Sequence, residues 1–116
     1  MKILVILQGT AFCDARFYNG LRLAGHIATR SDVTLRIFCF GAAIGCAVAV
    51  RKQPGGPDNV DRMLMAAADR GAEIVLCGDC LDARGITETM LITAARRSSR
   101  GEVDDWIAWA DETITI

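Results

Sequence analysis

The sequence predicts one α/β domain over residues 1–116, built as a three-layer sandwich with a mostly parallel sheet. Three observations carry that prediction. Short runs rich in β-branched and aliphatic residues recur along the chain without polar alternation, as strands buried on both faces do. Between them lie segments whose apolar residues fall at three- and four-residue steps, the periodicity of helices. Strand–helix alternation of this kind needs crossover connections, and therefore parallel strands with helices on both sides. The composition, 52% hydrophobic and 23% charged with two prolines, is that of a compact fold. A chain of this length buries about two-thirds of its unfolded surface and needs no disulfide or metal to fold.

Taken in order, the first run is Lys2–Leu7, "KILVIL", a buried strand that ends at Gln8-Gly9. Asp14 is placed to cap a helix reaching about Arg30, in which Phe17, Leu21, Ala24 and Ala28 share an apolar face. Residues 33–40 read as a second strand closed by Gly41. Residues 42–52 read as a second helix, apolar almost all round, which is expected to be covered on several sides or to sit at a subunit contact. "KQPGGPD" is the one clear loop, and Pro57 or Asp58 starts the next helix. There Val60, Met63, Leu64 and Ala67 form the buried stripe, and Gly71 caps the end. Residues 73–77 make a third strand. Residues 87–95 read as a short helix followed by an irregular or briefly extended piece. Residues 103–111 form an amphipathic helix carrying Trp106 and Trp109, and 113–116 alternate as a closing strand.

Several function classes are disfavoured. Thirteen basic and 14 acidic residues give a net charge of −1, so no overall field favours nucleic acid or an anionic membrane. The N-terminal apolar core is short and no cleavage site follows it, unlike a signal peptide. No run approaches the roughly 18 apolar residues of a membrane span. A cytoplasmic location is expected. Five cysteines, an odd number without a secretory signal, point to free thiols in a reducing compartment. Neither nucleotide-loop glycine spacing occurs, and no cofactor is expected.

The chemistry concentrates in "LCGDCLDARG", residues 76–85. Ligands in open parallel sheets sit beyond the carboxyl ends of the strands, where Cys77 falls. A following helix N-terminus lowers a thiol's pKa, and Arg84 is a candidate to stabilise a thiolate. Asp79 and Asp82 pull the opposite way, so the net sign depends on geometry. A zinc site needs four ligands, and none of Cys13, Cys39, Cys46 or His26 supplies a second short-spaced pair; no metal is expected. A dithiol pair like that of thioredoxin fits the placement after a strand, although Gly85 interrupts the helix. Two small core residues are the bland alternative. It suits Cys39 and Cys46, in apolar runs, better than Cys77 among polar neighbours. Cys13 follows the first strand and is a candidate to line the same cleft. His26 reads as a surface helix residue, and Trp106 and Trp109 as core or subunit contact. Arg96, Arg97 and Arg100 read as a solvated basic cluster.

Beyond these local readings the chain resembles the DsrE/DsrF-like sulfur-relay family, most closely its YchN-like branch. The resemblance runs through "FYNGLRLAGHI", "RIFCF", "DNVDRML", "LCGDCLDARGIT" and the tail "WIAWADETITI". It implies a flavodoxin-like α/β sandwich that forms homotrimers or homohexamers. It places the family's persulfide-carrying cysteine on Cys77, by its distance to Arg84-Gly85. Cys80 is shared with the YchN-like branch and not with the transfer subunits, which makes it an accessory thiol able to resolve a persulfide or disulfide. Gly78, Asp79, Asp82, Arg84 and Gly85 would frame the pocket. The first loop departs from the family pattern by carrying Cys13. The implied function is acceptance of sulfane sulfur on Cys77 and its transfer to another thiol, with a donor or acceptor protein as partner. Two alternatives stand beside it: a non-catalytic oligomeric module binding a ligand or protein, and a Cys77/Cys80 redox switch.

Overall fold

The computed structural model describes residues 1–9, 15–48 and 60–116. They form a five-stranded, wholly parallel sheet with helices on both faces. The elements are β1 (Lys2–Leu7), α1 (Ala15–Ala28), β2 (Thr34–Cys39), α2 (Val60–Asp69), β3 (Glu73–Leu76), α3 (Gly78–Ala83), β4 (Ala95–Arg97), α4 (Glu102–Trp109) and β5 (Glu112–Thr115). Two 3-10 segments, Gly41–Ala47 and Glu88–Met90, lie in the connections after β2 and α3. Across the sheet the strands run β4-β3-β2-β1-β5. The α/β sandwich is as expected.

Strand β1 is apolar after Lys2 because both of its faces are covered. Ile3, Val5 and Leu7 join one core cluster with Phe17, Leu21 and Ala24 of α1 and Val60, Leu64 and Ala67 of α2. Leu4 and Ile6 point the other way, as strand geometry requires, and join Phe38, Val75 and Trp106. Gly20 lets α1 come close to the end of the chain, since a Cβ there would lie 2.8 Å from Ile116 Cγ2. Among the described residues, the second face is covered by α4. Trp106 is its buried anchor and meets Phe38 edge-on, with ring centroids 6.1 Å apart. Trp109 is half-buried and lies under the Arg36 guanidinium at 4.0 Å, so both tryptophans serve packing.

Two expectations need correction. Residues 41–47 form a 3-10 segment, and Ala43, Ile44, Gly45, Cys46 and Ala47 are buried in the chain's own core. Ile92 N donates to Ala47 O at 2.8 Å, and Val48 bridges to Leu91. A run that is apolar on every side carries no 3.6-residue signal, so periodicity did not distinguish this segment from an α-helix. Its burial here also removes it as an argument for a subunit contact. Secondly, the sequence reading omits β4, a three-residue edge strand whose only apolar residue is Ala95. The remainder of the expected second helix, the "KQPGGPD" loop with Pro57 and Asp58, the cap Asp14, and Cys13 lie outside the described residues.

Candidate functional site

The strands end in register. Leu7 pairs with Cys39, Cys39 with Leu76, and Leu76 with Arg97, so one row crosses β1, β2, β3 and β4 at their carboxyl ends. The ladder continues one step beyond: Phe40 N donates to Leu7 O, Cys77 N to Cys39 O and Ser98 N to Leu76 O, at 2.8–2.9 Å. Phe40, Cys77 and Ser98 are therefore neighbours, although they are far apart in sequence.

Cys77 is the N-cap of α3, and its sulfur accepts the N–H of Cys80 at 3.3 Å. The Cys80 sulfur in turn accepts the N–H of Gly41 at 3.3 Å, at the end of β2. Gly41 has φ +57°, a conformation that suits glycine. Both thiols are half-buried. Burial is the largest influence on Cys77 and pushes its pKa up, the Cys80 thiol adds to this, and the backbone N–H groups of Cys80 and Asp79 partly offset it. The net direction is upward. The lowering expected from a helix N-terminus is outweighed.

A cavity of about 320 Å³ opens beside Cys77. Phe38 and Phe40, with ring centroids 4.6 Å apart, form an aromatic part of its wall. Gly78 and Asp79 border it from α3, and residues 97–103 close the other side. Gly78 N donates to Ser98 Oγ at 2.9 Å, which fixes the start of α3 to the segment after β4. Arg97 packs over Gly78 and makes a two-pronged contact with Asp82, at 2.7 and 2.8 Å. The pair holds the Asp82 carboxyl below its usual range. Behind the wall, Arg96 joins Glu73 of β3 to Glu102 of α4. Arg100 lines the cavity, is exposed, and has no ion-pair partner among the described residues.

The sequence-predicted residues thus separate. Cys77, Gly78 and Asp79 line the cavity together. Cys80 sits behind Cys77 and packs against the core beneath α1 and α2. Asp82 is turned to Arg97. Arg84 is exposed and donates to Cys80 O at 3.4 Å, and it does not line the cavity. Gly85, with φ +64°, ends the turn after α3 and does not line it either. His26 is exposed on α1. Cys39 and Cys46 are buried, their sulfurs 3.9 Å apart; the contact with the Cys39 thiol, and then its own burial, raise the Cys46 pKa. Among the described residues no three His, Cys, Asp or Glu side chains are grouped to hold a metal ion. Nor is any helix among them long and apolar enough to cross a membrane.

The rest of the cavity wall, Phe38, Phe40 and residues 97–103, is absent from the sequence-predicted site, and Arg97 and Arg100 stand in that wall rather than in a purely solvated basic cluster. The available signal was that every carboxyl end of a parallel sheet faces the ligand side. Using it required recognising a strand of three residues, two of them arginine.

Protein YchN of Escherichia coli K12 is 31% identical over 118 residues, covering 99% of this chain and 98% of its own. The crystal structure of the E. coli ychN protein matches with a TM-score of 0.90 at 27% identity, over 99% of this chain and 98% of that one. An uncharacterised protein of Methanocaldococcus jannaschii is 29% identical over 117 residues, spanning both chains in full. A protein of unknown function from Methanobacterium thermoautotrophicum shares the fold at 12% identity, with a TM-score of 0.72 over 99% of this chain and 98% of its own. Residues 1–116 match the DsrE/DsrF-like family, to which this chain belongs.

Proposed function

We propose that this protein accepts sulfane sulfur on Cys77 as a persulfide and passes it to a second thiol, in a reducing, cytoplasmic setting. The observation that carries the reading is the position of Cys77. Its sulfur is held by the Cys80 N–H at the wall of a cavity large enough for a small donor or an acceptor's cysteine side chain. Membership of the DsrE/DsrF-like family is consistent with sulfur relay.

The chemistry follows thiol–disulfide exchange. The Cys77 thiolate attacks the outer sulfur of a donor persulfide. The donor's S–S bond breaks, the donor leaves as a thiolate, and the proton on the outer sulfur stays with it. A second thiolate then attacks the same outer sulfur and releases Cys77. The rate scales with the thiolate fraction, so the raised pKa of Cys77 makes the free protein slow at neutral pH and faster in base. Among the described residues of the wall, Arg100 is the cation left to meet an anionic donor.

Intact-mass measurement after incubation with a persulfide donor tests the assignment. The wild type is expected to gain one sulfur that Cys77→Ser does not. An undiminished adduct on Cys77→Ser would sink it. Self-association as a trimer or hexamer belongs to the same proposal and rests on the family resemblance. Sedimentation equilibrium checks it, and a monomer would remove that part.

A further inference from the structure

Cys77 and Cys80 occupy different sides of the same turn. Cys77 lines the cavity. Cys80 does not, and packs instead with the core under α1 and α2. They are the N-cap and third residues of α3, positions that a capping box ties together side chain to backbone, and the bond from the Cys80 N–H to the Cys77 sulfur, 3.3 Å, is one half of that arrangement and holds the sulfur against Cys80. The N–H of Gly41 holds the Cys80 sulfur from the end of β2.

From this placement we infer that Cys80 resolves a persulfide on Cys77, releasing hydrosulfide and leaving a Cys77–Cys80 disulfide. The inference rests on the reading of Cys77 as sulfur acceptor and adds a second fate for the sulfur. The free volume beside Cys77 is the cavity, so the outer sulfur of a persulfide extends there. The inner sulfur remains next to Cys80. The Cys80 thiolate attacks the inner sulfur, the bond to the outer sulfur breaks, and that sulfur departs as hydrosulfide. The two cysteines supply the two electrons that reduce sulfane sulfur to sulfide. One dithiol, or two molecules of a monothiol, then reduces the disulfide by exchange and restores both cysteines. Transfer requires an external thiol at the outer sulfur, whereas release requires only Cys80 at the inner one. The protein therefore relays sulfur when an acceptor occupies the cavity and discharges it as sulfide when none does.

The test uses the full chain with Cys13→Ser, as wild type at the other positions and with Cys80→Ser. Each is loaded with glutathione persulfide and desalted, then followed by intact mass and a hydrosulfide probe. Without Cys80→Ser, the adduct should convert to a species lacking two hydrogens and release one hydrosulfide per chain. Its decay should be on the order of a hundredfold faster than with Cys80→Ser, reflecting an intramolecular thiol. A second arm needs no sulfur acceptance: Cys77 is converted to its mixed disulfide with thionitrobenzoate, and expulsion of the chromophore is timed. Cys80 should accelerate expulsion by a similar factor. Equal decay with and without Cys80, and no internal disulfide, would overturn the inference while leaving sulfur acceptance standing. A chain that expels thionitrobenzoate but gains no sulfur would instead overturn the acceptor reading, and hydrosulfide release with it.

Discussion

Gly78→Ala places a methyl group at the tightest point of the site. An ideal Cβ there lies 3.2 Å from Arg97 Nη2, 3.3 Å from Arg97 Cζ and 3.2 Å from the Ser98 carbonyl oxygen. Gly78 is not in the left-handed region, so backbone strain does not enter. Alanine is favoured over glycine inside a helix by about 0.5–1 kcal/mol, and less at a first helical position. Overpacking works against it, at about 1–3 kcal/mol. The guanidinium can retreat only by loosening its two contacts with Asp82. The Ser98 carbonyl is backbone and is held nearby by the Ser98 N to Leu76 O bond of 2.8 Å. The expected net loss is about 1–2 kcal/mol. Arg97→Ala removes two of the three close neighbours, so the double variant should be less destabilised than the sum of the singles, by about 0.5–1 kcal/mol. Urea denaturation of the four proteins measures both quantities. A Gly78→Ala protein as stable as wild type, or strict additivity with Arg97→Ala, would refute the close approach of Arg97 to Gly78.

Three further outcomes are expected. Because burial pushes the Cys77 thiol up, its rate of alkylation by iodoacetamide should keep climbing past the ordinary thiol value of about 8.5. Cys80→Ala should move that profile down, and a wild-type midpoint at or below the ordinary value would contradict the account. Trp106→Ala should cost about 3–5 kcal/mol in urea denaturation, because among the described residues α4 is the one helix over Leu4, Ile6, Phe38 and Val75; a loss under about 1 kcal/mol would mean that something else covers this face. Glu102, held below the usual carboxylate range first by Arg96, stabilises the fold fully above its unfolded value of about 4.3 and loses that contribution as pH falls through its depressed folded value. Glu102→Gln should therefore lose about 1 kcal/mol at neutral pH, after allowance for solvent screening, and the difference from wild type should vanish in acid; a difference independent of pH would show that the charge is not what matters.

Elements with a strong periodic or β-branched signal were readable from the chain. The sequence pattern marks Lys2–Leu7 at its observed bounds, and β2, α1 and α4 to within a few residues of theirs. Each has apolar residues on faces that its own geometry dictates. The failures occurred where that signal is missing. Residues 41–47 are apolar on every side, so nothing in the pattern separates a 3-10 segment from an α-helix. Strand β4 is held by its pairing with β3 and contributes a single apolar side chain to the core. Its existence is a tertiary fact.

The same distinction runs through the site. Cys77, Gly78 and Asp79 are contiguous, and a strand end followed by a helix is enough to bring them to the cavity. Arg97 and Ser98 reach it through the register that sets Leu76 beside Arg97, which no local motif encodes. The sequence leaves the direction of the Cys77 pKa open for a related reason. In sequence, Asp82 and Arg84 flank the thiol with opposite charges. In the fold, the Asp82 carboxylate is turned to Arg97 and the Arg84 guanidinium to the Cys80 carbonyl. With both charges engaged elsewhere, what remains on the sulfur is burial and a neighbouring thiol, partly offset by backbone N–H groups. Both larger influences favour the protonated form, so an incoming donor activates Cys77 best if it brings positive charge or hydrogen-bond donors to the sulfur. An anionic donor gains through binding instead: meeting Arg100 in the cavity wall, it should load Cys77 at lower concentration than a neutral donor of equal intrinsic reactivity.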